Sequence, residues 1–88
     1  MPNPNLLKEL LNIYNLLSEG KDKKDLEYIL NLIKISITTN KVSLKFILLY
    51  LKNKLKSVSV ASNVDGKSLI LWRKILNIFQ ENVKSENN

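Results

Sequence analysis

The sequence has 88 residues, of which 44% are hydrophobic, carries a formal net charge of +6, and contains neither cysteine nor histidine. A chain of this length makes one domain with a modest core. It can form no disulfide, thiolate or imidazole metal site, and no Ser-His-Asp arrangement.

With only 2 glycines and 2 prolines against many long aliphatic side chains, the composition favours helices over a turn-rich β fold. At the N-terminus Asn3 precedes Pro4, a capping side chain followed by a residue whose missing N–H costs nothing at the first helical position. Apolar residues 6, 10, 13 and 17, flanked by 7 and 14, predict a helix over about 4–18, with Gly20 as its left-handed stop. This start has no basic leader and reads as no signal peptide.

Asp22 is the expected cap of the second helix, with Asp25 adding negative charge to its positive end. Leu26, Ile29, Leu30, Ile33 and Ile37 follow one helical face. The β-branched run ISITT (35–39) predicts fraying, an end between 36 and 39, and Asn40 as terminator.

Ser43 is placed to cap the third helix. Leu44, Ile47, Leu48, Leu51 and Leu55 share one face of it, Lys45, Lys52 and Lys56 form a stripe beside it, and Phe46 and Tyr50 lie on the opposite flank. Its apolar run, Phe46 to Leu51, is far below the ~20 residues a spanning helix needs. The alternating SVSVASNVDG (57–66) reads as a frayed helix end and a loop, because a lone strand would have no partner. A last helix over about 65–83 puts Leu69, Trp72, Ile75, Leu76, Phe79 and Val83 on one face. The expected organisation is therefore all-α, an antiparallel four-helix bundle over residues 1–84 with a disordered polar tail at 85–88. Its expected core includes Leu10, Ile13, Leu30, Ile33, Ile47, Leu51, Leu55, Trp72, Ile75 and Phe79.

Charge is unevenly spread. Residues 28–80 carry nine basic groups against Asp65 alone, whereas residues 1–27 hold four lysines against five acids. Such a field attracts phosphate backbones, anionic lipid heads or acidic protein surfaces. Asp22, Asp25 and Glu27 sit among Lys21, Lys23 and Lys24 without the spacing of a calcium loop, and there is no phosphate-cradling glycine loop. The expectation is no enzyme, no metal and no cofactor. Apolar residues occupy the positions where a recognition helix would be polar, as at Phe46, Leu48 and Leu49, so nucleic-acid binding is expected to be non-specific.

The segments LLKELLNIYNLL (6–17), DLEYILNLI (25–33), VSLKFILLYLKNKL (42–55) and LWRKILNIF (71–79) resemble, in order and spacing, the immunity proteins of pediocin-like (class IIa) bacteriocins. The similarity covers about residues 6–80. It implies a cytoplasmic protein that protects the producing cell from its own pore-forming peptide; the bundle itself is expected to be a monomer. It also implies a partner, the mannose phosphotransferase permease with bound bacteriocin, met from the cytosolic side; a basic rim in the C-terminal half would add some peripheral contact to the membrane surface. The family's C-terminal half decides which bacteriocin is resisted. Here that half offers Lys67, Arg73 and Lys74 beside Ile70 and Ile78, which fall off the main core face, as partner-binding residues. A second resemblance is carried by KSLILWRKIL (67–76), which is similar to the final segment of the N-terminal domain of transcription elongation factor S-II, another protein-interaction module. A small basic nucleic-acid-binding protein is a third reading.

Overall fold

A computed structural model describes residues 4–61 and 66–86, with the side chains of 5–61 and 66–83. Four helices follow in order: α1 (Pro4–Leu16), α2 (Lys21–Thr39), α3 (Leu44–Ala61) and α4 (Lys67–Glu86), with no strand among the described residues. α3 and α4 share the largest interface. α1 packs on both α2 and α4, and α2 packs on α3, so the helices close around one core.

The helix ends show which local signals were obeyed. Pro4 is the first residue of α1, as its fixed φ favours, while Asn3 lies outside the described residues. α1 stops at Leu16 rather than 18, because the Leu17 N–H turns back to the Tyr14 carbonyl at 3.1 Å and tightens the last turn. Gly20 does not take the expected left-handed conformation. It is nearly fully extended (φ 159°, ψ −171°) and stands at the N-cap of α2, its carbonyl accepting from the Lys24 N–H at 3.2 Å. Asp22 is consequently a residue of the first turn of α2 and not its cap.

At the other end of α2, Thr38 and Thr39 donate their hydroxyls to the Lys34 and Ile35 carbonyls, at 2.9 and 2.7 Å, and the helix runs to Thr39. Asn40 then takes the left-handed conformation (φ 59°) and returns its N–H to the Ser36 carbonyl, the terminator its side-chain chemistry tolerates. Ser43 caps α3 as expected, its hydroxyl accepting from the Phe46 N–H at 3.1 Å.

Two regions differ from expectation. SVSVA continues α3 to Ala61, so residues 57–61 of the expected loop are helical, and 62–65 lie outside the described residues. Val58 packs against the core, which gives this weak helix former a reason to stay helical. α4 continues through Ser85 and Glu86, residues expected in the polar tail, while Asn87 and Asn88 are outside the described residues. Gly66, just before α4, has φ 70°, a conformation that favours glycine, and its carbonyl accepts from Ile70.

The core is contributed by all four helices: Leu6 and Leu10; Leu26, Ile29, Leu30, Leu32 and Ile33; Ile47 and Leu51; Trp72, Ile75, Leu76 and Phe79. Ile13 and Leu55, expected inside, are half-buried against its edge. Leu51 is 1% exposed between neighbouring helices, so Leu51→Ala leaves a cavity as well as losing burial. The expected cost is about 2–5 kcal/mol, a large part of the stability of a domain this small. Urea titration followed by circular dichroism checks it; a loss below about 1 kcal/mol would contradict the packing.

Candidate functional site

The inner face of α4 is fastened by polar contacts as well as by apolar burial. Trp72 is 1% exposed, and its indole N–H donates to Asp22 Oδ1 at 3.0 Å. Ser68, one turn earlier, donates its hydroxyl to Asp22 Oδ2 at 2.6 Å. One carboxylate thus joins the first turns of α2 and α4, where the positive ends of both helix dipoles favour it. Lys54 of α3 pairs with Asp25 and places its ammonium 5.2 Å from the centre of the Trp72 ring. Lys21 adds a second contact to Asp25 at 3.2 Å. The third carboxylate of this cluster, Glu27, accepts from the Tyr14 hydroxyl at 3.2 Å, linking α1 to α2. The acidic residues near the start of α2 are therefore occupied by tryptophan, serine, lysine and tyrosine donors.

Towards the far end of α4, Asn82 is buried, and its amide donates to Glu9 Oε2 at 3.0 Å and to the Ile78 carbonyl at 2.8 Å. Among the described residues no buried side-chain polar atom lacks a partner. Trp72 and its neighbours on this face are structural, and no part of the indole is left for an external ligand.

The outer face of α4 is different. Lys67, Ile70, Arg73 and Lys74 are all exposed, and Ile70 has 65% of its surface in water. Their spacing of three and four residues brings them onto one side of the helix, opposite Trp72 and Phe79. Ile78 does not join them. Expected to stand exposed beside the basic groups, it is half-buried and packs against the core, because it lies nearer the helix's flank than its solvent side. The surface the structure assembles is thus one exposed isoleucine framed by two lysines and an arginine.

No known family model, curated protein or solved structure matches the chain. Its reading therefore rests on its own residues. Sequence periodicity separated the inner from the outer face of α4 but missed the clasp at Asp22, since a residue 50 positions away supplies the indole. Nothing local marks the clasp, because a carboxylate at the start of a helix suits a cap as well as it suits a distant indole.

The Asp22 clasp and the Asp25 pair give separable expectations. Asp22→Ala removes both acceptors and leaves the buried Trp72 N–H unpaired, at an expected cost of about 1–3 kcal/mol. For Asp25, burial pushes the carboxyl up, but hydrogen bonds from Lys54 and Lys21 outweigh it and hold the group below its usual range. A depressed folded-state value means that stability is fully present above the unfolded-state value and is lost as pH falls through the folded one. Thermal melts should therefore drop below about pH 4, and Asp25→Asn should flatten part of that drop. An unchanged acid limb in Asp25→Asn would show that the pair contributes nothing.

Proposed function

We propose that the chain is a bacteriocin immunity protein that acts by stoichiometric binding rather than by catalysis. In this reading it sits in the cytosol of the producing cell and engages a mannose phosphotransferase permease occupied by a class IIa bacteriocin. The observation that carries the proposal is the outer face of α4, where Ile70 stands exposed amid Lys67, Arg73 and Lys74 on a helix whose other face is core. An exposed aliphatic centre with a basic rim supplies what a contact of this kind needs: a group to desolvate, and charges that steer it to an acidic partner or anionic headgroups. The resemblance in order and spacing across residues 6–80, with helices at each of the four expected places, supports the assignment.

The reading takes the bundle as antiparallel. Tyr14 near the end of α1 pairs with Glu27 near the start of α2, and Lys54 in the second half of α3 pairs with Asp25 in the first turns of α2. Both contacts join opposite ends of consecutive helices, which supports an up-and-down arrangement with short connections.

Expression in a sensitive lactic acid bacterium, followed by challenge with a panel of class IIa bacteriocins, tests the proposal. The expected result is protection against one or a few members. Ile70→Asp with Arg73→Glu should reduce the tolerated dose at least roughly tenfold at unchanged protein level, since a central contact residue typically accounts for that much binding. Unchanged killing by every member would refute the assignment.

A further inference from the structure

We infer that the outer face of α3 is a docking surface for an anionic lipid bilayer, a site separate from the α4 face that gives the peripheral membrane contact expected from the sequence its location. The helix has a core side, with Ile47 and Leu51 buried, yet its opposite side is not conventionally polar. Phe46 is 50% exposed, Leu49 57% and Val60 85%. Lys45, Lys52 and Lys56 are exposed among them. At 3.6 residues per turn these six positions fall on one side of the helix, and from Lys45 to Val60 they extend about 22 Å along its axis. Tyr28 of α2 continues the apolar side of the patch, being half-exposed with its ring 5.4 Å from that of Tyr50, and Ile35, two turns further along α2, is exposed as well.

The charge that α3 itself carries is all of one sign. From Tyr28 to Ala61 the sequence contains lysines 34, 41, 45, 52, 54 and 56 and no carboxylate. Lys54 alone among those on α3 is drawn inward, to Asp25 and the Trp72 ring, while the other three point out. The division is informative. The inward Lys54 is matched by a carboxylate from α2, whereas α3 has no acidic residue of its own to match Lys45, Lys52 and Lys56.

An anionic bilayer is the occupant that satisfies both halves of the pattern. Aromatic and aliphatic side chains enter the headgroup–acyl boundary, while lysines beside them reach the phosphates with their long stems lying along the apolar surface. The contact is peripheral, since no helix among the described residues is long and apolar enough to cross a membrane. A second copy of the chain fits poorly, because a two-fold pairing of this face sets lysines against lysines. A nucleic-acid backbone would use the lysines but has no use for Leu49 and Val60, which it would leave in water.

Flotation of the purified protein with phosphatidylglycerol–phosphatidylcholine vesicles, and with phosphatidylcholine vesicles alone, tests the assignment. Binding is expected only to the anionic vesicles and should weaken as salt rises. Each lysine near such a surface is worth about fivefold, so the combined substitution Lys45→Gln, Lys52→Gln, Lys56→Gln should weaken binding by roughly 100-fold. Phe46→Ser with Leu49→Ser should also release the protein, with helical circular dichroism unchanged, since both side chains are half in water already. Absence of vesicle binding would overturn the inference, and so would equal binding to neutral vesicles. It would equally be overturned if Lys67→Gln, Arg73→Gln, Lys74→Gln abolished binding while the α3 variants retained it. Capture of a duplex oligonucleotide that ignores Phe46→Ser and Leu49→Ser, without vesicle binding, would replace the bilayer with a nucleic acid.

Discussion

The arrangement of this bundle turns on the Asp22 carboxylate. It lies in the first turn of α2 and accepts at once from the Trp72 indole and the Ser68 hydroxyl of α4. Tryptophan is the largest side chain in the core, and its N–H requires a partner once buried. By supplying one, Asp22 fixes where α4 sits against α2 and allows the ring to be wholly enclosed. Lys54 then has a defined place, between the Asp25 carboxylate and the Trp72 ring, which ties α3 to the same point. Three helices are held in register around one indole. Aliphatic packing alone is less directional, since leucine and isoleucine can exchange neighbours at small cost.

That inward fastening has a consequence for the surface. The carboxylates of the α2 start are used inside or at the seams, against Trp72, Ser68, Lys54, Lys21 and Tyr14. The outer faces of α3 and of the first half of α4 are left with lysine, arginine and exposed aliphatic groups. The overall charge of +6 thus understates how basic these two faces are. Charged side chains on a helix surface more often come in mixed signs, which lowers self-repulsion and non-specific attraction. With the acids at the start of α2 held in structural contacts and Lys45, Lys52, Lys56, Lys67, Arg73 and Lys74 facing out, the molecule is suited to anionic surroundings, and both faces proposed here draw on that arrangement.

Exposed aliphatic residues give each face its character. Ile70 on α4 is a single anchor with basic neighbours, a pattern suited to a pocket on a protein partner. On α3 the apolar groups are spread along the helix, with Phe46 and Leu49 a turn apart and Val60 three turns further on, a pattern suited to a broad, fluid surface. Ile78 would have enlarged the first patch but is drawn to the core, leaving the α4 face compact.

Local chemistry, read along the chain, determined a good deal. Helical periodicity alone placed four helices and found Leu10, Ile33, Ile47, Leu51, Trp72 and Phe79 inside, because amphipathic spacing reports burial directly. Ser43 and Asn40 acted as the terminators their side chains allow, for capping depends on neighbours within four residues. What the tertiary structure decided were the matters that depend on distant partners. SVSVA became helix because Val58 found the core, overriding an alternation that suggests otherwise. Asp22 left its expected capping role for an indole 50 residues away, and Ile78 turned inward while Ile70 stayed in water. A one-dimensional pattern records which side of a helix is apolar, but not which neighbour covers its edges. Only packing in three dimensions settles that.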